Sequence, residues 1–376
     1  MIYLDHSATT PALPNVRQAM LPYFENHYGN PSSLHRLGRD AKAALDKARE
    51  SVASLIHADP RGIIFTSGGT EANNLALKGF SKTFTKPHVA ISAVEHPSVL
   101  KTAMQLEKRG AIQTTLIPIG IDGCIDTKSI LHDALPPSDF LSVMWGNNET
   151  GVLQPIQELA QANSKRPKEI PIHVDAVQAL RYVDIDVEKL GLSMLSLSSH
   201  KLGGPKGVGA LYLRPGLRFT PLIEGGAQER NLRAGTENLA SIVGFGAACQ
   251  EVQRQRDFYQ RSVAKIRTKF ESGLKSFGTN LTIVGESSER LPHITNVLFH
   301  GQEGIDLAYK LDTQGVAVST GSACSSGSLD PSPSLLAMGL SYKEASSAVR
   351  FSFGPTNTLQ EIDHVLRILE HLDKND

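Results

Sequence analysis

The first two-thirds of the chain alternates between short apolar runs and longer segments with a helical repeat. The apolar runs are almost uninterrupted by polar residues, which is typical of strands buried on both faces of a parallel sheet. Seven runs of this kind predict seven strands, at residues 63–66, 89–92, 115–119, 140–145, 170–174, 194–198 and 208–213.

Helical repeats lie between several of these runs. In residues 39–57, apolar side chains recur at steps of three and four and form a single stripe along one helix face. The stripe consists of Ala41, Ala44, Leu45, Ala48, Val52, Leu55 and Ile56. The alternation of strands and helices predicts an α/β fold in which helices flank a mostly parallel seven-stranded sheet.

The pattern changes in the last third of the chain. Residues 238–275 predict one long helical region, with Ile242, Val243, Val263, Ile266, Phe270 and Leu274 as candidate buried positions. Shorter strands follow at 281–284, 295–299, 316–318 and 349–353, and then a last helix with Ile362, Val365, Leu366, Leu369 and Leu372 on its apolar face. We therefore predict a large domain at 12–250 and a smaller α+β domain formed by 1–11 and 251–376.

Composition narrows the class of protein. The 38 Lys and Arg residues balance the 38 Asp and Glu residues, so the basic surface expected of a nucleic-acid-binding protein is not indicated. No apolar run reaches the roughly 18 residues of a membrane span, and the first residues lack the features of a signal peptide. Three cysteines in 376 residues do not form a disulfide framework. These observations predict a cytoplasmic protein without nucleic-acid or membrane partners.

Common nucleotide and metal motifs are absent from the sequence. It contains no G-x-x-x-x-G-K-[ST], no H-E-x-x-H and no EF-hand loop, and we predict no metal site. Gly244 and Gly246 form a G-x-G that lies within a helical pattern and does not follow a strand, so it does not indicate a dinucleotide site.

One apolar run leads into a candidate anion site. After residues 63–66 the chain passes through Gly68 and Gly69 to Thr70, at the start of a helical pattern. Glycines let an anion approach the backbone, and a helix N-terminus offers free N–H groups and a favourable dipole. An ordinary glycine turn with Thr70 as a helix cap is the alternative interpretation.

Two ionisable residues follow later buried runs. Asp175 comes directly after the run at 170–174, where the carboxyl ends of parallel strands meet ligands. Lys201 follows the run at 194–198 and is flanked by Ser198, His200 and several glycines. Taken singly, Asp175 is also consistent with a helix cap and Lys201 with a surface lysine.

Together these features predict a cofactor. Pyridoxal phosphate requires a lysine that forms an imine, a carboxylate beside the pyridinium nitrogen and an anion site for the phosphate. Lys201, Asp175 and the turn containing Gly69 and Thr70 meet these three requirements, with Ser198 and His200 available to the phosphate.

Six ordered motifs then make the family recognisable. They are YLDHSATTP at 3–11, GGTEANN at 68–74, EH at 95–96, NNETG at 147–151, HVDAVQ at 173–178 and SSHK at 198–201. From residue 3 to the final helix, the chain resembles the NifS/IscS-like cysteine desulfurases. These belong to the class V aminotransferase group of fold-type I pyridoxal-phosphate enzymes.

The resemblance implies roles for further residues. It implies that His96 stacks on the pyridine ring and takes part in proton transfer, and that Gln178 binds the phenolic oxygen of the cofactor. Asn148 would lie near both cofactor and substrate. Thr236 matches a residue that reaches the phosphate bound by the neighbouring subunit, so a homodimer is implied.

The surroundings of Cys324 differ from those of the other cysteines. A buried cysteine usually has apolar neighbours, but residues 319–328 contain almost no large apolar side chain and are rich in Ser and Gly. This composition predicts a mobile, exposed loop, which suits a thiol that takes sulfur from one molecule and passes it to another. Cys124 and Cys249 fit a turn and a buried helix position. The persulfide cysteine of the family matches Cys324.

Arg350 is the predicted substrate-binding residue. It matches the arginine that grips the substrate carboxylate in the family, a task suited to a guanidinium fork. The alternative is a strand arginine in a surface ion pair. The chain departs from the family at Pro355, where an arginine is common, and at Gln228, where a histidine is common.

The implied activity is conversion of L-cysteine, or L-selenocysteine, to L-alanine, with the sulfur left on Cys324 as a persulfide. An acceptor protein, such as an iron–sulfur scaffold or a thiolation enzyme, would receive it. One alternative is a selenocysteine lyase, cysteine β-lyase or aminotransferase that does not depend on Cys324. Another is a catalytically idle binding module, which the presence of Lys201, Asp175, His96 and Arg350 disfavours.

Overall fold

The computed structural model describes residues 1–125, 138–277, 280–320 and 330–375. The strands in these ranges, in chain order, are β1 (Ile2–Tyr3), β2 (Ile63–Thr66), β3 (His88–Ser92), β4 (Gln113–Ile117), β5 (Phe140–Met144), β6 (Ile172–Asp175), β7 (Met194–Ser198), β8 (Gly209–Leu213), β9 (Leu281–Ile283), β10 (Ile294–Phe299), β11 (Val316–Ala317) and β12 (Ala348–Ser352).

The α-helices are α1 (Pro14–Met20), α2 (Pro22–Glu25), α3 (Arg36–Leu55), α4 (Gly69–Thr83), α5 (Pro97–Lys108), α6 (Ile156–Ser164), α7 (Gln228–Asn231), α8 (Leu239–Lys275), α9 (Gly304–Thr313), α10 (Pro333–Ala337), α11 (Tyr342–Ser346) and α12 (Leu359–Asn375).

The larger sheet has seven strands in the order β2-β8-β7-β6-β5-β3-β4. Strands β3 to β7 pair with one another in parallel, whereas β8 is antiparallel to both β7 and β2. Each of the seven predicted runs overlaps one of these strands. The prediction of a mostly parallel seven-stranded sheet flanked by helices is confirmed.

Alternate residues of a strand point to opposite faces of the sheet, and both faces are covered. In β2, Ile63 and Phe65 pack into the apolar cluster shared with α3 and α8, whereas Ile64 packs into a second cluster with α4 and α5. All three side chains are buried. An uninterrupted apolar run is therefore what this strand requires.

Strand β4 does not fit the prediction of burial on both faces. It pairs with β3 at the end of the sheet, it begins two residues before the predicted run, and Leu116 is 54% exposed. An edge strand has a neighbour on one side only. Its side chains are therefore less covered than those of a central strand with the same apolar pattern.

The predicted long helix is α8, which packs along α3. A Cβ atom added to Gly246 would lie 2.9 Å from the Cα atom of Ala48, so this glycine lets the two helices approach closely. The G-x-G in this helix is thus a packing feature. No helix within the described ranges is long and apolar enough to span a membrane.

The C-terminal part contains a separate antiparallel sheet in the order β12-β10-β9. The N-terminus joins it, because β1 pairs with β11 in parallel and Asp5 forms a bridge with Ser352. The smaller α+β unit that the sequence predicts is present. Its exact boundaries at residues 11 and 250 stay a prediction, and α8 continues through position 250 without a break.

Candidate active site

A cleft of about 620 Å³ lies at the carboxyl ends of β5, β6 and β7, next to the first turns of α4 and α5. This edge is where ligands bind in open α/β sheets. Ten of the twelve predicted site residues line the cleft: Gly69, Thr70, His96, Asn148, Asp175, Gln178, Ser198, His200, Lys201 and Arg350.

The other two predicted residues lie elsewhere. Thr236 is exposed and lines a separate hollow together with Ser67 and Gly207. Cys324 lies outside the described residues. The chain that leads to it passes beside the cleft, because the backbone N–H of Arg350 donates to the carbonyl oxygen of Ser319 at 2.7 Å.

Lys201 ends a short 3₁₀ turn that directly follows β7. Its Nζ donates hydrogen bonds to the carbonyl oxygens of Ser7 and Ala8, the latter at 2.6 Å. The N-terminal segment therefore holds the amine at the floor of the cleft. Ser7 and Ala8 precede Lys201 by more than 190 residues in the sequence, so these contacts depend on the tertiary fold.

Asp175 is the last residue of β6 and is 5% exposed. Its Oδ1 accepts from the backbone N–H of Val177 at 3.0 Å, and its Oδ2 accepts from Asn73 Nδ2 at 2.7 Å. These two donors fix the carboxylate at the strand end. A positively charged ring nitrogen within reach would be stabilised there.

The N-terminus of α4 forms an open cradle. Gly68 has a φ of +153°, a backbone conformation that disfavours other residues, and no side chain caps the helix. A Cβ atom added to Gly69 would lie 2.9 Å from a methyl group of Val177. The free N–H groups of the first turn, together with Thr70 and Ser198, can therefore bind an anion.

His96 precedes α5 as its N-cap residue, and its Nδ1 accepts from the backbone N–H of Ser98 at 3.1 Å. The pKa of His96 is lowered, chiefly by burial. The Asp175 carboxylate acts in the opposite direction, and the Lys201 ammonium lowers the pKa further. The imidazole is therefore mainly neutral at physiological pH.

Gln178 and His200 are held by groups from distant parts of the chain. Gln178 Nε2 donates to the carbonyl oxygen of Ser7 at 3.0 Å, and His200 Nδ1 lies 3.1 Å from Thr9 Oγ1. Burial, with a smaller contribution from Lys201, lowers the pKa of His200 to about 4. His200 is thus a neutral hydrogen-bonding group.

Arg350 lies on β12 with a side chain that is 4% exposed. Its Nη1 donates to the carbonyl oxygen of Asn148 at 2.9 Å, and its Nη2 donates to Asp5 Oδ1 at 2.9 Å. Within the described ranges its Nε has no hydrogen-bond partner. The guanidinium is therefore oriented by two contacts and retains N–H groups for a carboxylate in the cleft.

Sequence reasoning missed several residues that position the site. Ser7, Asn73 and Ser98 line the cleft and are buried, and Asp5 pairs with Arg350. Asp5, Ser7 and Asn73 belong to motifs that carried the resemblance, and Ser98 stands two residues after one of them. Their side chains are neutral or short, so the sequence alone does not indicate a role for them, and only the contacts in the fold do.

The comparisons with known proteins agree with this geometry. Residues 2–365 match the family model for Aminotransferase class-V. A curated relative, cysteine desulfurase IscS of Dictyoglomus turgidum, is 41% identical over 375 residues, covering 99% of this chain and 94% of that protein. The chain belongs to the cysteine desulfurase group of the class-V aminotransferase family. The family predicted from the six motifs is confirmed.

Solved structures of the same group share the fold. A NifS-like protein superposes with a TM-score of 0.93 at 33% identity, and each chain is fully covered. SspA, solved in complex with cysteine, has a TM-score of 0.83 at 33% identity, covering 95% of this chain and all of that one. The class-V family uses pyridoxal phosphate, so the predicted cofactor is confirmed as that of the family.

The residues present in the cleft fit this cofactor. Lys201 supplies the amine, the fixed carboxylate of Asp175 suits a pyridinium nitrogen, and the uncapped N-terminus of α4 suits a phosphate. Gly69 has no side chain, which lets the first turn of α4 lie close to Val177 and Ser198 at the edge of the cleft.

Proposed function

We propose that this enzyme converts L-cysteine to L-alanine and takes up the sulfur as a persulfide on Cys324. One observation carries the proposal. The cleft combines a lysine, a fixed carboxylate and an anion cradle with a buried arginine, and the chain leading to Cys324 pairs with that arginine. The relatives named cysteine desulfurase support the same activity.

Arg350 and Asn148 bind the substrate carboxylate in this proposal. Each of the two contacts that orient Arg350 uses one N–H of an Nη group, so the second N–H of each Nη group is left for a bidentate interaction with the carboxylate. Binding the carboxylate at Arg350 holds the substrate in one orientation within the cleft that Lys201 also lines.

Lys201 removes the Cα proton and later returns a proton to the product. Pyridoxal phosphate, when bound, withdraws electrons from Cα and so makes that proton acidic. Asp175 stabilises the positive ring nitrogen that this electron withdrawal requires. The carbonyl oxygens of Ser7 and Ala8 orient the amine of Lys201 when this amine is not bonded to the cofactor.

Cys324 then takes the sulfur. Its thiolate forms an S–S bond with the substrate sulfur while the C–S bond breaks, and the electron pair stays with carbon, which is protonated to give alanine. Cys324 is five positions after Ser319, so a fully extended chain would reach at most about 17 Å from the contact of Ser319 with Arg350.

The other cysteines are poorly suited to this step. Cys249 is fully buried in α8, and burial raises the pKa of its thiol. Cys124 is half-buried and lies 3.6 Å from Ser288 Oγ, and burial raises its pKa as well. A thiol with a raised pKa is a weak nucleophile at neutral pH because little thiolate is present.

The proposal extends to the partners. Thr236 is exposed and lies outside the cleft of its own subunit, which supports a contact with the cofactor of a second subunit. We therefore propose a homodimer. An acceptor protein, such as an iron–sulfur scaffold or a thiolation enzyme, receives the persulfide sulfur. A cytoplasmic location and the use of L-selenocysteine stay predictions.

The direct test uses ³⁵S-labelled L-cysteine and the cofactor-loaded enzyme without reductant. We expect one alanine per sulfur bound to the protein in the first turnover, with the label on the peptide that contains Cys324. Alanine with free sulfide and no labelled peptide would favour a lyase. A requirement for a keto acid would favour an aminotransferase.

Asp5 is expected to position Arg350 for the substrate. In D5N the charged partner of Nη2 becomes neutral, so the KM for L-cysteine should rise about tenfold while kcat changes less than twofold. Steady-state alanine formation measures both constants. D59N, which changes a partly buried carboxylate paired with the exposed Arg61, is the matched control and should leave both constants unchanged. An unaltered KM in D5N would contradict the positioning role.

A further inference from the structure

A chain of buried hydrogen bonds connects Asp175 with His96. Asn73 Nδ2 lies 2.7 Å from Asp175 Oδ2 and 2.8 Å from Ser98 Oγ. Ser98 Oγ in turn lies 2.7 Å from His96 Nδ1. Asn73 is 1% exposed and Ser98 is 7% exposed, so bulk water does not compete strongly for these contacts.

The chemistry of the groups sets the direction of each hydrogen bond. An ionised carboxylate only accepts, so the amide nitrogen of Asn73 is the group that faces Asp175. The second hydrogen of that nitrogen is donated to Ser98 Oγ. The hydroxyl hydrogen of Ser98 is then available for His96 Nδ1.

His96 Nδ1 thus receives two donors. One is the hydroxyl of Ser98 at 2.7 Å, and the other is the backbone N–H of the same residue at 3.1 Å. A ring nitrogen that accepts two hydrogen bonds does not carry a hydrogen itself. A neutral imidazole in this position therefore has its hydrogen on Nε2.

We propose that Asn73 and Ser98 are positioning residues that hold neutral His96 in the Nε2–H tautomer and so make it a hydrogen-bond donor toward the cleft. The tautomer follows from the contacts alone. Its consequence for sulfur chemistry rests on the proposed function. Nε2 is the ring nitrogen that does not contact Ser98, and an N–H group there can donate a hydrogen bond to the substrate sulfur. That hydrogen bond withdraws electron density from the sulfur, which the Cys324 thiolate then attacks more readily.

The charged neighbours are compatible with this state. Asp175 and Lys201 face His96 with opposite charges, and burial keeps the imidazole neutral. Glu95, the preceding residue, directs its Oε1 to Ser92 Oγ and to the backbone N–H of Met144. Burial raises the pKa of Glu95 to about 8, so this side chain is mainly uncharged at neutral pH.

The tautomer can be measured directly in the cofactor-loaded enzyme labelled with ¹⁵N-histidine. Two-bond ¹H–¹⁵N correlation spectra distinguish the two neutral tautomers, and the signals lost in H96Q identify His96. We expect the Nε2–H pattern in the unmodified enzyme and a mixture of tautomers in S98A. T102V removes another buried hydroxyl from α5 and should keep the original pattern.

Kinetics provide a second readout. In S98A we expect kcat for alanine formation to fall about tenfold with little change in KM, because a hydrogen bond to the reacting sulfur is weakened. S98T keeps the hydroxyl and should restore most of the rate. An Nδ1–H pattern in the unmodified enzyme, or an unchanged pattern in S98A, would overturn the assignment. An Nε2–H pattern in an enzyme that forms no persulfide would refute the proposed function and leave the tautomer assignment standing.

Discussion

Replacing Lys201 by alanine is expected to reduce alanine formation from L-cysteine by about 10⁴-fold. In the proposed function the lysine is the amine that joins the cofactor and the base that removes the Cα proton, and general acid–base catalysis alone contributes a factor of about 10² to 10⁴ in rate. No other described lysine or histidine has its side-chain nitrogen on the carbonyl oxygens of Ser7 and Ala8. The rate should therefore not be recovered by a neighbouring group.

Two measurements on K201A separate chemistry from folding. The yellow absorption of the lysine-bound cofactor should disappear, while the circular dichroism spectrum of the protein stays unchanged. K206A changes an exposed lysine five residues further along the same loop and is expected to retain colour and rate. A yellow K201A variant with a rate within tenfold of the unmodified enzyme would show that the lysine assignment is wrong.

Replacing Cys324 by serine is expected to abolish persulfide formation and to reduce steady-state turnover by about 10³-fold or more. A serine hydroxyl is almost fully protonated at neutral pH and is a poor nucleophile toward sulfur, so the S–S bond cannot form. The cofactor absorption should persist, because Lys201, Asp175 and the cradle at α4 are unchanged.

The matched control is C124S, since Cys124 is the half-buried cysteine whose thiol pKa is raised. This variant should form persulfide at the normal rate. Labelled sulfur on C324S, or normal alanine yield with sulfide released, would contradict the role of Cys324. The second result would move the protein to the lyase class.

Much of the fold and of the site was readable from local patterns. Seven apolar runs coincide with the seven strands of the large sheet, because a strand covered on both faces needs an almost uninterrupted apolar run. Asp175 ends the buried strand β6, and Lys201 lies in the short turn that follows the buried strand β7. The carboxyl ends of parallel strands lie at one edge of the sheet, so the sequence could predict that Asp175 and Lys201 lie in one cleft.

Other features depend on how distant segments pack. The reversed direction of β8 and the edge position of β4 are properties of strand order, which an apolar pattern does not encode. Asp5 meets Arg350 across 345 positions of sequence, and Ser7 reaches Lys201 across 194. The first contact requires that the N-terminal segment joins the C-terminal sheet, and the second requires that the same segment passes the end of β7.

The sequence by itself determined the fold class, the family and the cofactor of that family, and it predicts the chemically active residues, because each of these depends on local spacing and residue type. The tertiary structure decided their orientation and protonation. Asn73 and Ser98 lie 25 positions apart, and their contact sets which nitrogen of His96 holds a hydrogen. Burial by the surrounding fold, a property of the whole packed chain, lowers the pKa of that histidine.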